Sequence, residues 1–135
     1  VRAMTFVPQA GTPMAERDTP LPTTELKLIS LMRLLMPTSL IPASLDIDGL
    51  SGLSQRLAAG ANVVTSLVPP GEGLAGVAQS ELDIEAGKRT VAGIRETLAA
   101  SGMTSAGVET YRAWIAARQA ERRARRREDR IPCAS

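Results

Sequence analysis

Six side chains in this sequence have the type and spacing to do chemistry together. Arg2 stands near the start, Ser44, Asp46 and Asp48 close the run LIPASLDIDGLSG, and Thr65 and Ser66 end the run ANVVTS. Two carboxylates two positions apart, at the end of an apolar run and just before Gly49, have the form of a binding-site floor. A guanidinium grips a carboxylate through two parallel hydrogen bonds, which makes Arg2 a candidate for holding an anionic group. Nucleophilic catalysis of the Ser-His or Cys-His kind is excluded, because the chain has no histidine. The same absence rules out a His-ligated metal within the chain. A single cysteine, Cys133, can build neither a disulfide framework nor a multi-cysteine metal or cluster site.

These residues need elements to hold them. Val1 to Val7 (VRAMTFV) has the β-branched, apolar content of a strand ended by Pro8. Its period of two aligns Arg2 with Met4 and Phe6. Two readings of Arg2 stand: a terminus that points its charge into water, or a cation held over a site. After the turn-rich loop of residues 9 to 22, Thr23 or Thr24 caps a helix that runs to about Met36, where Pro37 stops it. Its leucines, Ile29 and Met32 cover most of the circumference, which predicts burial on more than one side.

A near-continuous apolar run from Ser39 to Ile47 suits a parallel strand covered on both faces. Asp48 or Ser51 can cap a short helix carrying Leu50, Leu53 and Leu57, with Gly60 as its left-handed stop. Asp48 therefore has two roles open to it: cavity wall beside Asp46 by strand alternation, or helix cap. Ala61 to Val68 predicts a third strand, and GEGLAGVAQ a glycine-bearing loop whose spacing matches no phosphate cradle. A helix follows over about Leu82 to Ala100, with Ile84, Val91, Ile94 and Leu98 on one face and Gly102 behind it. A last helix over about Ser105 to Arg127 would dock through Val108, Tyr111, Trp114 and Ile115 before turning to pure charge.

The order is βαβαβα plus a terminal helix, which implies a parallel sheet in an α/β fold. The polar residues gather at the carboxyl ends of the strands, where parallel β/α architectures put their ligands. Three buried parallel strands leave two apolar edges unpaired, and the chain opens inside a strand. The expected architecture is the last three βα units of a (β/α)8 TIM-type barrel: residues 1–104 as barrel, 105–117 as a docking helix and 118–135 as a basic solvated tail.

Composition places the chain in one domain of 135 residues with an aliphatic core, 44% hydrophobic but 2% aromatic. No run approaches the roughly 18 apolar residues of a membrane helix, and no secretory signal is present, so a cytoplasmic location and no membrane partner are expected. The formal charge of +2 is unevenly spread. Residues 118–130 hold seven arginines against Glu121, Glu128 and Asp129, a net of +4, so the remainder carries 2 − 4 = −2. The arginine stretch reads as a solvated helix with internal Glu–Arg pairs; the alternative is a basic helix for nucleic acid, disfavoured for want of a second basic patch.

The blocks VRAMTFVPQAGTPM and SLIPASLDIDGLSGLSQRLAAGANVVTSLVPPGEGLAGVAQSELDIEAGKRTVAGI resemble the C-terminal portion of radical S-adenosylmethionine enzymes of the biotin-synthase-like group. FxPQxGTPM is shared loosely in that group, whereas PASLDIDGL with GANVVTSLVPP and GLAGVAQ is narrower and resembles the members that rearrange L-lysine into 3-methylornithine for pyrrolysine biosynthesis. The resemblance covers about residues 1 to 115. It implies a barrel with a [4Fe–4S] cluster on an upstream CxxxCxxC loop, where S-adenosylmethionine yields a radical that abstracts hydrogen from lysine. By this resemblance Arg2 matches the carboxylate-binding arginine, Ser44 and Asp46 match polar contacts at the end of the seventh strand, and Asp46 takes an ammonium group. Asp48, Thr65 and Ser66 would line the cavity without an assigned role. No catalytic or metal-binding residue is expected in the chain, which would be inactive alone and would need the N-terminal barrel half as its partner. The other readings are a different biotin-synthase-like enzyme, of biotin synthase or hydrogenase-maturase type, and a non-catalytic half that docks onto a second chain.

Overall fold

The computed structural model describes residues 1–46, 48–68 and 89–128. They form six elements: α1 (Pro22–Leu35), β1 (Pro42–Ser44), α2 (Leu53–Ala58), β2 (Val63–Thr65), α3 (Val91–Ala100) and α4 (Val108–Glu128). The chain divides into two compact units, Val1–Met103 and Thr104–Ser135.

In the first unit, β1 and β2 pair in parallel, with Pro42 opposite Val63, Ala43 opposite Val64 and Ser44 opposite Thr65. The connection between them is α2, so the centre of the unit is a β-α-β crossover of the expected kind. Both strands are only three residues long, shorter than the apolar runs that contain them. Flanking residues still join the frame without lengthening the ladder: Asn62 and Val63 donate to the Ile41 carbonyl and Leu45 donates to that of Thr65. Ile29, Ile41, Leu45 and Leu53 are fully buried, and Ala3, Ala43, Ala61, Ile94 and Leu98 complete the core around them.

Val1 to Val7, expected as a strand, is assigned to neither strand nor helix. A strand needs a neighbour to receive its ladder, and the sheet of the described residues has only two members. The segment is nonetheless anchored, because Ala3 lies in the core and Arg2 and Thr5 bond to residues far along the chain.

Helix α1 starts with Pro22 in its first turn behind Leu21, and no side chain caps it, so neither Thr23 nor Thr24 plays that part. Proline suits this place because its missing N–H would be unpaired there in any case. The helix buries one stripe, centred on Glu25 and Ile29, whereas Leu28, Leu31, Leu34 and Leu35 are exposed, Leu34 to 79%. Burial on more than one side is therefore not found among the described residues. At the far end Gly60 has a φ of +115°, and a Cβ on it would meet Arg33 Cβ at 2.8 Å. Both the backbone angle and the close approach require glycine, and Arg33 Nε uses that approach to donate to the Gly60 carbonyl at 2.9 Å.

Helix α3 begins later than its sequence pattern predicts. The Thr90 hydroxyl accepts from the Gly93 N–H at 3.2 Å, an N-cap that leaves Arg89 and Thr90 outside the helix. Ile94 and Leu98 are buried as expected, but Val91 is exposed. The expected helical residues 82 to 88, the GEGLAGVAQ loop, Ile47, Asp129, Arg130 and Cys133 lie outside the described residues.

In the second unit α4 runs without interruption for 21 residues across the boundary expected at 117/118. Tyr111 and Trp114 stack with ring centroids 6.0 Å apart, and the Arg118 guanidinium lies 5.9 Å from the Trp114 ring. Among the described residues no helix is long and apolar enough to cross a membrane.

Candidate functional site

The carboxyl ends of β1 and β2 bring together five polar side chains from four distant stretches of sequence. Ser44 is the last residue of β1, and its hydroxyl donates to Asp46 Oδ2 at 2.7 Å. Arg2 Nη2 reaches the same pair, at 2.9 Å from Ser44 Oγ and 3.3 Å from Asp46 Oδ2. Ser66, just beyond β2, has its hydroxyl 3.3 Å from that of Ser44. Arg89 closes the group from the other side, with Nη2 at 3.2 Å from Asp46 Oδ1 and 2.8 Å from the Ser66 carbonyl.

Local structure explains the convergence. Parallel pairing of β1 with β2 puts the two strand ends side by side, so Ser44 and Ser66 become neighbours although 22 positions apart. Ser66 has a φ of +68°, the left-handed region that a non-glycine residue rarely occupies. Such strain persists only where the surroundings impose it and is concentrated at ligand sites. Here it accompanies a residue that offers its carbonyl to Arg89 while its hydroxyl faces Ser44.

Exposure differs sharply among the charged members. The side chain of Arg89 is 5% exposed, that of Asp46 26% and that of Arg2 42%. Arg89 is thus a buried brace, while Arg2 remains partly open to solvent. Burial alone would raise the Asp46 pKa. Hydrogen bonds from Ser66 and Ser44 and the charges of Arg89 and Arg2 outweigh it, and the carboxyl is held below its ordinary value of 3.8. Two arginines against one carboxylate leave the cluster with a net positive charge, which favours an anionic group on the ligand.

Of the residues singled out in the sequence, Arg2, Ser44, Asp46 and Ser66 are in one group. Thr65 turns away, its hydroxyl lying 3.5 Å from the Ala43 carbonyl across the sheet. Asp48 is also elsewhere, and it caps nothing: α2 starts behind Gly52 with no side-chain cap, and Ser51 bonds the Asp48 carbonyl instead. The Asp48 carboxylate pairs with Arg56 at 2.6 Å. Arg56 in turn holds Glu25 with two bonds, at 2.9 and 3.1 Å, in the buried interior. For Glu25 too, burial is opposed by bonds from Arg56 and Thr5 and by the Arg56 charge, and its pKa falls below the ordinary 4.5. The Arg56 pKa is raised, because Glu25 and Asp48 outweigh the burial that would lower it.

Reasoning from sequence missed Arg89, Glu25 and Arg56. Glu25 had a readable signal, since it shares the α1 face of Ile29 four positions on, and a carboxylate in an apolar stripe needs a buried partner. Arg89 has none: it stands 43 positions from Asp46 in a run that reads as plain helix.

Among the described residues no group of three or more His, Cys, Asp or Glu side chains could hold a metal ion. With one cysteine and no histidine in the whole sequence, the chain's residues do not fit an iron–sulfur cluster of their own.

A parallel β-α-β unit with polar side chains gathered at its strand ends places the chain in the β/α class, whose members take their ligands at the carboxyl edge of the sheet. Comparison with known proteins narrows this class. The chain is 46% identical over 106 residues to a 3-methylornithine synthase of Methanosarcina barkeri, and 44% identical over 106 residues to that of Methanosarcina acetivorans. In each case the match covers 78% of this chain and 30% of the relative. A crystal structure of methylornithine synthase (PylB) superposes with a TM-score of 0.74 at 43% identity, covering 84% of this chain and 34% of that one. A scan against protein-family models finds no match. The chain is a homologue of the 3-methylornithine synthases, and it spans about a third of their length.

Proposed function

We propose that this chain is the substrate-binding, C-terminal part of a radical S-adenosylmethionine mutase that converts L-lysine to 3-methylornithine, and that its β-α-β unit is part of the last three βα units of a (β/α)8 barrel. The observation that carries the reading is the junction of Arg2, Ser44 and Asp46 at the strand ends of a chain homologous to enzymes of that name. An amino acid needs a cation for its carboxylate and an anion for an ammonium group. Arg2 makes its bonds to Ser44 and Asp46 through Nη2, so its other edge faces outward to receive the carboxylate. Asp46, ionised and held on its far side by Arg89, receives an ammonium group.

The cysteines of the [4Fe–4S] cluster, and the S-adenosylmethionine bound there, belong to the part of the enzyme beyond this chain, which is inactive alone. The exposed leucines of α1 support the same view, since Leu28, Leu31, Leu34 and Leu35 form an apolar face that the remaining βα units would cover. A different biotin-synthase-like reaction is disfavoured by the pairing of Arg2 with Asp46, which fits a zwitterion better than a substrate with no ammonium group.

The test is product analysis by chromatographic separation and NMR, because the product is an isomer of lysine with the same mass, using the reconstituted full-length enzyme that carries this chain. Lysine-dependent formation of methylornithine is expected, and its loss in Asp46→Ala. Turnover that survives Asp46→Ala unchanged would remove Asp46 from the site.

A further inference from the structure

Arg56 lies outside the cluster at the strand ends, yet it is tied to both residues proposed to hold the substrate. It stands in α2, and its side chain is 6% exposed. Nε and Nη2 grip Glu25 of α1, and Nη1 binds Asp48, so three of its nitrogens are committed to carboxylates. Each carboxylate leads to one side of the site. Glu25 accepts from the Thr5 hydroxyl at 2.7 Å, three positions along the segment from Arg2. Asp48 lies in the turn after β1, two positions from Asp46.

The space around the link is closed. A Cβ on Gly52 would collide with the Asp48 carboxylate and with Arg56 Nη1, and would lie 2.9 Å from Asp48 Cγ. Gly52 has a φ of −89°, so its backbone does not call for glycine. The ion pair does, because it fills the volume that any other side chain would take.

Resting on the reading of Arg2 and Asp46 as the substrate clamp, we propose that Arg56 is a positioning residue that fixes the separation of the two sides of that clamp. The N-terminal segment has no ladder of its own to hold it, so Thr5 on Glu25 and Ala3 in the core set where Arg2 stands. The turn that carries Asp46 is held from below by Asp48 on Arg56. One guanidinium therefore sets both positions, through buried bonds to Glu25 and a part-buried one to Asp48, and a lysine side chain at 56 would keep the charge but lose the three-way geometry.

The experiment is calorimetric titration of L-lysine into the full-length enzyme, alongside kcat and KM for lysine, in Arg56→Lys, Gly52→Ala and Thr5→Val. Thr5→Val keeps every charge and removes one hydroxyl, so it reports even if the first variant fails to fold. The expected result is a loss of lysine affinity of about tenfold or more in Arg56→Lys and Gly52→Ala, as misplacement of a clamp produces, and a smaller loss in Thr5→Val. Combined with Arg2→Ala, the Arg56→Lys loss should fail to add, because both act on the same contact. Wild-type affinity in folded Gly52→Ala and Thr5→Val, or strictly additive losses, would overturn the proposal. Failure of the underlying reading looks different: the unsubstituted enzyme would not bind lysine, or Arg2→Ala and Asp46→Ala would bind it as the unsubstituted enzyme does.

Discussion

The first unit holds two clusters of arginine and aspartate or glutamate, and they are built to opposite specifications. The Glu25–Arg56–Asp48 cluster is bidentate at one end, has bonds of 2.6 to 3.1 Å, and buries both Glu25 and Arg56. The Arg2–Asp46–Arg89 cluster has single bonds of 3.2 to 3.3 Å between its charges, and Arg2 and Asp46 remain partly open to solvent. In the buried cluster both oxygens of Glu25 and all three nitrogens of Arg56 are engaged. The open one has a guanidinium edge, two hydroxyls and an ionised carboxylate at the sheet's carboxyl end, with Arg89 as its buried cation. Similar residue types thus form a closed frame in one place and a partly solvent-open cluster in the other, and burial with geometry decides which.

The contrast is broken most forcefully by removing one partner of the buried cluster. Arg56→Met strands Glu25 in the interior and should cost the full-length enzyme about 3 to 5 kcal/mol in a denaturant titration. The double replacement Glu25→Leu with Arg56→Met should recover most of that loss, since it leaves no buried charge unpaired. A single variant as stable as the parent would show that the cluster is not buried in the assembled enzyme.

Acid should act in the same direction on both clusters, but harder on the buried one. The folded pKa values of Glu25 and Asp46 are depressed, so their contribution is complete above the unfolded values, ordinarily 4.5 and 3.8, and is lost as pH falls through the lower folded values. Melting temperature should be level above that window and fall below it. The gap between the parent and Glu25→Gln should narrow as pH drops. A gap that widens in acid would reverse the sign assigned to Glu25.

Smaller effects are expected on the open side. Arg2→Ala should change stability by less than about 1 kcal/mol, because a half-exposed pair at 3.3 Å contributes little. At the bottom of the scale, Glu121→Ala removes the i,i+3 partner of Arg118 in α4 and should cost about 0.3 kcal/mol of helix stability, measured by circular dichroism.

Much of the open cluster was legible in the sequence, and almost none of the buried one. Ser44 and Asp46 could be placed because an apolar run with parallel-strand character ends on them, whereas Arg2 stayed open between a solvated terminus and a cation over the site until the resemblance assigned it. Arg89 could not be placed, since its position beside the site depends on the Thr90 cap, which starts α3 only at Val91 and leaves Arg89 outside the helix. Asp48 was ambiguous for a physical reason: an aspartate before a short helix satisfies cap and ion pair equally well in one dimension, and only the approach of Arg56 separates them. The Val1 to Val7 stretch has strand composition but no ladder partner among the described residues, and composition does not report a neighbour. The leucines of α1 were read correctly as apolar on several sides, but the surface that would bury them is not in this chain's described residues.

The central claim is that Arg2 and Asp46 form the amino-acid clamp and the Arg56 cluster the frame behind it. It is tested most directly by L-lysine titration into the full-length enzyme carrying Arg2→Ala, with thermal stability measured on the same sample. A loss of affinity of about tenfold or more, the order expected for a hydrogen bond to a charged group, with an unchanged melt, is the predicted result. Lysine binding that survives Arg2→Ala intact would contradict the clamp.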